Sequence, residues 1–311
     1  MPDILISTSS FGQVSSDPLA QLSAAGLEYR LNPYGRRLDP PETVELLAGA
    51  AGLIAGTETL SRDILDQASD LRVISRCGSG LENVDLEAAA DRGIHIFNTP
   101  GAHVDAVAEL TLAGILCALR WIPRADSDIR AGRWAKPMGR LLRRRTVGIA
   151  GLGRIGKAVV GLLASFEATV LAWDEVVDED FAARHSVETV SFDDLLRRSE
   201  VLSLHVPLND ETRGLIGRAA LDAMRPDAVL VNCARGGLVD EQALVESLAG
   251  GRLAGAYLDV FESEPYQGPL SELSNAILTP HIGSYAAESR LRMETEAVEH
   301  LVDFFRREAR T

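Results

Sequence analysis

Residues 145–174 read RTVGIAGLGRIGKAVVGLLASFEATVLAWD. The apolar, β-branched run at 146–150 predicts a strand, 157–165 predicts a helix, and 169–173 predicts a second strand. Three glycines in the spacing G-x-G-x-x-G connect the first strand to the helix. The second strand ends on an acidic residue about twenty positions beyond the glycines, and this whole arrangement predicts a nucleotide-binding βαβ unit.

Each glycine has its own task in such a unit. Gly151 makes the tight turn out of the strand, Gly153 lets the backbone approach a pyrophosphate, and Gly156 lets the helix pack closely on the strand. The helix N-terminus offers free N–H groups and a positive dipole end to the phosphates, and Arg154 and Ile155, just before the predicted helix, are also expected to contact the cofactor. The stretch therefore predicts a dinucleotide site rather than an ordinary βα turn.

The acid that ends the second strand indicates which dinucleotide binds. Asp174 stands where a carboxylate accepts hydrogen bonds from the adenosine ribose hydroxyls. Glu175 follows it, no arginine comes directly after, and two carboxylates would repel a ribose 2′-phosphate. We therefore expect NAD, rather than NADP, as cofactor.

Bulk composition limits the class of protein. The chain has 311 residues, 46% of them hydrophobic, which suggests about two domains with sizeable cores. A net charge of −14 argues against a nucleic-acid partner, because phosphate binding needs a basic face. Three scattered cysteines, no apolar run of membrane-spanning length and no signal peptide predict a cytoplasmic protein without a metal or membrane site.

Strand and helix patterns alternate on both sides of the glycine stretch, so we expect α/β architecture with parallel sheets covered by helices. The fold class is two Rossmann-like, doubly wound domains with a cleft between them. A discontinuous, flavodoxin-like substrate domain would comprise 1–98 and 285–311, and the NAD-binding domain 99–284. A long apolar helix is predicted over 104–122, followed by a polar connection over 123–145.

Ligands of an open parallel sheet bind beyond the carboxyl ends of its strands. By that rule the chemistry lies in residues 233–235, 259–264 and at His281, which follow three successive predicted strands. Arg235, Glu264 and His281 could thus converge near the nicotinamide end of a bound cofactor.

At these residues the chain resembles the D-isomer-specific 2-hydroxyacid dehydrogenases, and the likeness runs over nearly its whole length. The matching stretches are CGSGLENVDLEAAADRGIHIFNTPG (77–101), VAELT (107–111), GLGRIG (151–156), HVPLNDET (205–212), VNCARGGLVDE (231–241), DVFESEP (259–265) and TPHIG (279–283). Its pattern is most similar to the phosphoglycerate dehydrogenase branch, in a short form.

The resemblance implies catalytic roles. His281 would be the acid/base, Glu264 its partner, and Arg235 the group that binds the carboxylate. It also implies cofactor contacts from residues at other strand ends, namely His205, Val206, Pro207, Thr212, Cys233, Ala234, Arg235, Asp259, His281 and Gly283. Asp259 would bind the nicotinamide carboxamide, whereas His205 could equally be a packing residue. A homodimer is implied too.

Substrate binding is predicted at Arg76, Ser79 and Gly80, together with Arg235 and His281. Arg76 matches an arginine that binds phosphate in phosphoglycerate dehydrogenases, and a glycine-rich turn can form an anion nest, although Ser79 could be a turn residue only. The second arginine of those enzymes is missing near Gly56.

The leading expectation is therefore 3-phosphoglycerate or a similar phospho- or phosphono-hydroxy acid. A hydroxypyruvate or glyoxylate reductase and a phosphite dehydrogenase remain alternatives. A non-enzymatic alternative is an NAD(H)-responsive scaffold like the transcriptional corepressors that share the fold.

Overall fold

The computed structural model describes residues 2–310, which divide into two compact units. One unit runs through His103 and resumes at Tyr285, and the other is Val104–Ser284. Residues 99–103, assigned to the second domain from sequence, group with the first unit. The reason is local, because the Thr99 N–H donates to the Gly78 carbonyl and Ala102 packs in the first unit's core.

The elements of the first unit alternate strand and helix. They are β1 (Asp3–Ile6), α1 (Asp17–Ala24), β2 (Glu28–Leu31), α2 (Pro40–Leu47), β3 (Gly52–Ala55), α3 (Arg62–Leu65), β4 (Val73–Arg76), α4 (Leu86–Asp91) and β5 (His95–Asn98). All strands run parallel in the order β2-β1-β3-β4-β5.

The second unit continues the same alternation. Its elements are α5 (Val104–Arg120), α6 (Ile122–Arg130), β6 (Thr146–Ala150), α7 (Arg154–Leu163), β7 (Thr169–Trp173), α8 (Glu179–Arg184), β8 (Glu188–Thr189), α9 (Phe192–Arg198), β9 (Val201–Leu204), α10 (Arg218–Ala223), β10 (Val229–Asn232), α11 (Glu241–Ala249), β11 (Gly255–Leu258) and β12 (Ala276–Leu278). The chain then returns to the first unit with α12 (Ala287–Glu308).

The second sheet is also entirely parallel, in the order β12-β11-β10-β9-β6-β7-β8. Its central strands β6, β9, β10 and β11 are buried almost throughout, as expected for strands covered on both faces. Two apolar cores cover the two faces of this sheet, and two more cover the sheet of the first unit. The doubly wound parallel architecture predicted from sequence is therefore confirmed in both units.

Helix α5 packs inside the second unit against α7, β10 and β11. Gly114 permits this packing, because a Cβ there would lie 2.3 Å from the Tyr257 ring. Among residues 2–310, no single helix is long and apolar enough to cross a membrane. Helices α5 and α6 pass that test only as a pair, by length and composition, and they are bent by 63°.

The predicted polar connection after α5 is wrong in its first part, because residues 122–130 form α6. Trp121, with a φ of 56°, separates the two helices. The side chains of Asp126 and Arg130 pair at 2.8 Å across one helical turn, and Asp128 is buried against Arg133 at 2.6 Å. A helix stabilised by charged pairs carries little apolar periodicity, so the sequence pattern missed it.

Candidate active site

The glycine loop lies between β6 and the start of α7. Gly151 has a φ of +100°, and a Cβ there would lie 2.6 Å from the His205 carbonyl carbon. A Cβ on Gly156 would lie 2.1 Å from the Gly151 carbonyl oxygen, whereas one on Gly153 would meet nothing within 4 Å. The loop is thus packed tightly underneath and open at the helix N-terminus, which fits a pyrophosphate.

Helix α7 begins at Arg154, three residues before the predicted start, so Arg154 and Ile155 lie in its first turn. Asp174 directly follows β7, as expected. Its Oδ2 accepts the Leu152 N–H at 2.6 Å and its Oδ1 accepts the Val176 N–H at 3.2 Å. The same carboxylate therefore braces the glycine loop, a role that the sequence did not indicate.

The loop after β9 is held by its own side chains. Thr212 Oγ1 donates to the Pro207 carbonyl at 2.6 Å and accepts the Asn209 N–H at 2.9 Å. His205 Nε2 lies 2.9 Å from Ser203 Oγ, and burial lowers the pKa of His205 to about 4. The ring is therefore neutral near pH 7. Val206 is buried in the core of the unit.

Arg235 lies just beyond β10, where Asn232 orients the backbone. The Asn232 side chain accepts the Ala234 N–H at 3.0 Å and donates to the Arg235 carbonyl at 2.8 Å. Burial raises the pKa of the Cys233 thiol to about 12, so a thiolate is disfavoured, and Cys233 packs in an apolar core of the unit.

His281 and Glu264 form a hydrogen-bonded pair in the second unit. His281 Nδ1 lies 2.8 Å from Glu264 Oε2, and the Phe261 N–H donates to Glu264 Oε1 at 3.1 Å. Burial alone would raise the pKa of Glu264, but His281, the Phe261 N–H and the charge of Arg235 together lower it. Glu264 is thus an ionised partner for an imidazolium, and Arg235 lies within its electrostatic reach.

Asp259 holds the turn that carries His281. Its side chain, 1% exposed, accepts the Thr279 hydroxyl at 2.6 Å, the Ile282 N–H at 2.9 Å and the Gly283 N–H at 2.7 Å. The Asp259 carbonyl also accepts the His281 N–H at 2.8 Å. His281 itself has a φ of +53°, an unusual conformation for a residue with a side chain, and this network maintains it. No sequence pattern indicated Thr279 in this role.

The predicted anion-binding turn of the first unit follows β4. The Gly78 N–H donates to Thr99 Oγ1 at 2.8 Å, and the Asn98 side chain donates to the Ser79 carbonyl at 2.8 Å. Among residues 2–310 no hydrogen bond uses the N–H of Ser79 or Gly80. The turn is therefore fixed by its neighbours while two adjacent amides keep their donors available.

A buried acid that sequence reasoning missed lies in the first unit. Glu58 is 1% exposed, and its carboxylate accepts the Ser7 hydroxyl at 2.5 Å and the Gly56 N–H at 3.1 Å. Burial raises the pKa of Glu58, while these donors and the charge of Arg76 oppose that shift. A negative group therefore lies within electrostatic reach of the predicted anion-binding arginine. No group of three potential metal ligands occurs in residues 2–310.

Comparison with known proteins matches residues 112–283 to the family model described as D-isomer specific 2-hydroxyacid dehydrogenase, NAD binding domain. The chain is 40% identical over 291 residues to D-3-phosphoglycerate dehydrogenase of Mycobacterium leprae, covering 91% of this chain and 55% of that protein. It is 41% identical over 259 residues to a glyoxylate reductase of Aeropyrum pernix, covering 80% of this chain and 77% of that protein.

Among solved structures, D-lactate dehydrogenase of Aquifex aeolicus, complexed with NAD and lactic acid, matches with a TM-score of 0.86 and 28% identity. That match covers 99% of this chain and 96% of the other. The chain spans only about half the length of the phosphoglycerate dehydrogenases that it matches. The family match lies within the second unit, which is therefore the NAD-binding domain.

Proposed function

We propose, from the premise that the chain belongs to the D-isomer specific 2-hydroxyacid dehydrogenase family, that it oxidises a D-2-hydroxy acid or reduces the corresponding 2-keto acid with NAD. The observation that supports this most is the 2.8 Å contact between His281 Nδ1 and Glu264 Oε2. It occurs at the carboxyl-end edge of the NAD-binding sheet, with Arg235 nearby.

These residues suit the two charges that the reaction handles. His281 Nδ1 is engaged with Glu264, which leaves Nε2 to take the hydroxyl proton in oxidation and to return it in reduction. Glu264 stabilises the resulting imidazolium, and Arg235 pairs with the substrate carboxylate through its planar guanidinium. Bound NAD supplies the hydride acceptor.

The leading substrate is 3-phosphoglycerate or a similar anionic hydroxy acid. Arg76 supplies a cation in the first unit, and the amides of Ser79 and Gly80 supply donors for a carboxylate. The 40% identity to phosphoglycerate dehydrogenases supports the same choice.

A hydroxypyruvate or glyoxylate reductase is the second candidate, and Glu58 favours it. The buried Glu58 carboxyl lies within electrostatic reach of Arg76, so it reduces the positive charge available to a phosphate whenever it is ionised. The second arginine that phosphoglycerate dehydrogenases often carry is missing near Gly56. The similarity to a glyoxylate reductase agrees with an uncharged substituent.

We also propose that the protein is a homodimer. Large apolar side chains after α6 are exposed in the single chain, with Trp134 82% and Met138 90% exposed. Light scattering on the purified protein is expected to give twice the chain mass, and substitution of both residues by serine is expected to lower it. A mass of 33.4 kDa for the unaltered protein would refute the dimer.

The test of activity is NADH oxidation with 3-phosphohydroxypyruvate, hydroxypyruvate, glyoxylate and pyruvate. We expect turnover of at least one, with kcat lowered about 100-fold or more in His281→Ala because the proton donor is removed. Arg235→Ala is expected to raise KM and lower kcat. NADH binding, followed by fluorescence, is expected to stay within about two-fold in both variants. His185→Ala, at an exposed helix end, and Arg252→Ala, in a surface ion pair with Asp222, are the controls.

The outcomes separate the candidates. Preference for 3-phosphohydroxypyruvate, lost in Arg76→Ala, supports phosphoglycerate as substrate. Preference for glyoxylate or hydroxypyruvate supports the second candidate and leaves the catalytic roles unchanged. Wild-type rates in His281→Ala would refute the assigned roles, and an absence of turnover with all four acids, despite NADH binding, would favour the scaffold alternative.

A further inference from the structure

A second acid supports the loop that carries Glu264. Glu241 is the first residue of α11, and its Oε1 accepts the Glu262 N–H at 2.7 Å. The cap of this helix is a different residue, because Asp240 accepts the Ala243 N–H at 2.9 Å. Glu241 is therefore not needed to cap the N-terminus of its own helix, and its carboxylate instead binds the loop after β11.

Neighbouring amides of that loop donate to two different carboxylates. The Phe261 N–H donates to Glu264 and the next amide, of Glu262, donates to Glu241. Glu264 Oε2 in turn contacts His281 Nδ1. A continuous path of hydrogen bonds and one short piece of backbone thus leads from α11 to the imidazole.

The loop has little room to shift toward the backbone turn at residues 236–238. A Cβ on Gly236 would lie 1.9 Å from the Phe261 carbonyl carbon and 2.4 Å from the Glu262 nitrogen. The backbone turn at 236–238 therefore contacts the same peptide that Glu241 binds. Loss of the Glu241 acceptor would leave the Glu262 amide without its partner and free the loop on the side away from that turn.

Several titratable groups surround Glu241 and the Glu264–His281 pair. Burial raises the pKa of Glu241, the charges of Glu262 and Glu264 raise it further, and the Glu262 N–H opposes them. Tyr266 lies within reach of the same charge. On the opposite side, Glu264 faces His281 and Arg235, and His281 also faces Asp259.

We propose that Glu241 is a positioning residue for the Glu264–His281 pair, acting by holding the Glu262 amide. The inference rests on the proposed function, because it assumes that this pair exchanges the substrate proton. Glu241 would not touch substrate or cofactor, so its loss would lower kcat and leave cofactor binding unchanged.

Three variants separate these effects. Glu241→Gln keeps an acceptor oxygen and loses the charge, Glu241→Ala loses both, and Glu241→Asp retracts the acceptor by one methylene. Glu246→Ala is the matched control, because Glu246 is on the same helix in an exposed ion pair with Arg218. Measurements are kcat and KM for keto-acid reduction from pH 5.5 to 9, NADH binding and Tm.

We expect Glu241→Ala to lose about 10-fold to 100-fold in kcat, a range typical of misplaced catalytic groups, with NADH binding within two-fold of the wild type. Glu241→Gln is expected to keep kcat within about three-fold at low pH. Glu241→Asp is expected to lie between them and serves if Glu241→Ala does not fold.

A readout that does not need turnover distinguishes failure of this inference from failure of the proposed function. In isotope-labelled protein, the His281 ring signals, assigned by their loss in His281→Asn, are expected to move in Glu241→Ala and to stay in Glu246→Ala. Unmoved signals and unchanged kcat in Glu241→Ala would overturn the positioning role, as would equal losses in Glu241→Gln and Glu241→Ala. A wild type without turnover would overturn the proposed function instead.

Discussion

Asp174 is expected to set the choice between NAD and NADP, and Asp174→Ala tests this. The carboxylate directly follows β7, beside the glycine loop, and it is only partly buried. Hydrogen bonds to a charged group contribute about 1.5–3 kcal/mol, and we take the lower end because water screens this site. Loss of that contribution corresponds to a KM for NAD that is about 10-fold higher.

The gain for NADP comes from removing repulsion. A carboxylate and a phosphate close together repel by about 1 kcal/mol in water and about 4 kcal/mol near a protein surface. Because Asp174 is partly exposed, we take a repulsion of about 1.5 kcal/mol. Its removal corresponds to about a 10-fold gain in affinity for NADP. Together the two effects shift the NAD-to-NADP ratio of kcat/KM by about 100-fold in Asp174→Ala.

The structure supplies a control that the sequence did not suggest. Because Asp174 Oδ2 also accepts the Leu152 N–H at 2.6 Å, Asp174→Ala loosens the glycine loop as well as removing the charge. Asp174→Asn keeps an acceptor for that amide. We expect Asp174→Asn to retain the wild-type Tm and to make most of the shift toward NADP, while Asp174→Ala also lowers Tm by a few degrees.

The assay is keto-acid reduction with NADH and NADPH in parallel, together with thermal unfolding. An unchanged NADH-to-NADPH ratio in both variants would refute the reasoning, because it would mean that the ribose is held elsewhere. A changed ratio in Asp174→Ala alone would assign the preference to the loop and not to the charge.

Three further predictions concern charge and packing. Glu264→Gln is expected to lower the kcat of keto-acid reduction about 10-fold, because His281 loses the carboxylate that contacts its Nδ1, and a kcat equal to that of the wild type would contradict this. Gly156→Ala is expected to weaken NADH binding at least about 10-fold, since its Cβ would lie 2.1 Å from a carbonyl oxygen. Gly161→Ala, on the same helix in open space, is expected to stabilise the protein, and equal NADH affinities would disprove the packing argument. Burial raises the pKa of Glu58 in the folded protein above its pKa in the unfolded chain. The protonated carboxyl therefore stabilises the fold fully at pH values below the unfolded-chain pKa, and this stabilisation is lost as the pH rises through the folded-state pKa. The difference in Tm between Glu58→Gln and the wild type is therefore expected to shift in favour of the variant as the pH is raised from about 5 to about 8.5. A Tm difference that does not change with pH would contradict this.

Much of the architecture follows from local pattern. Buried parallel strands such as β9 and β10 are short apolar runs, and helices such as α11 start at an Asp or Ser cap, so each leaves a readable signal. Helix α6 left none, because charged pairs support it and much of its surface is exposed. The two-residue strand β8 is too short for any periodicity.

The placement of the candidate site could be predicted from sequence, because Arg235, Glu264 and His281 each follow a buried or partly buried strand. The sequence could not show that Asp259 holds the His281 turn, because this depends on a contact across 20 or more positions. It could not show the burial of Glu58 either, since an acid in a loop is ordinarily exposed.

Four acids of the second unit each fix a loop and place a negative charge beside it. Asp174, Asp259, Glu264 and Glu241 each accept backbone N–H groups from a loop that follows a strand. Exposed ion pairs contribute little to stability, whereas a carboxylate bonded to amides fixes a loop and places a negative charge there at once. Two of these acids, Asp259 and Glu264, face His281, so the loops that hold the imidazole also place carboxylates beside it. Alanine at any of the four acids should therefore remove both the loop contact and the charge, whereas the amide counterpart removes the charge and keeps an acceptor for the loop.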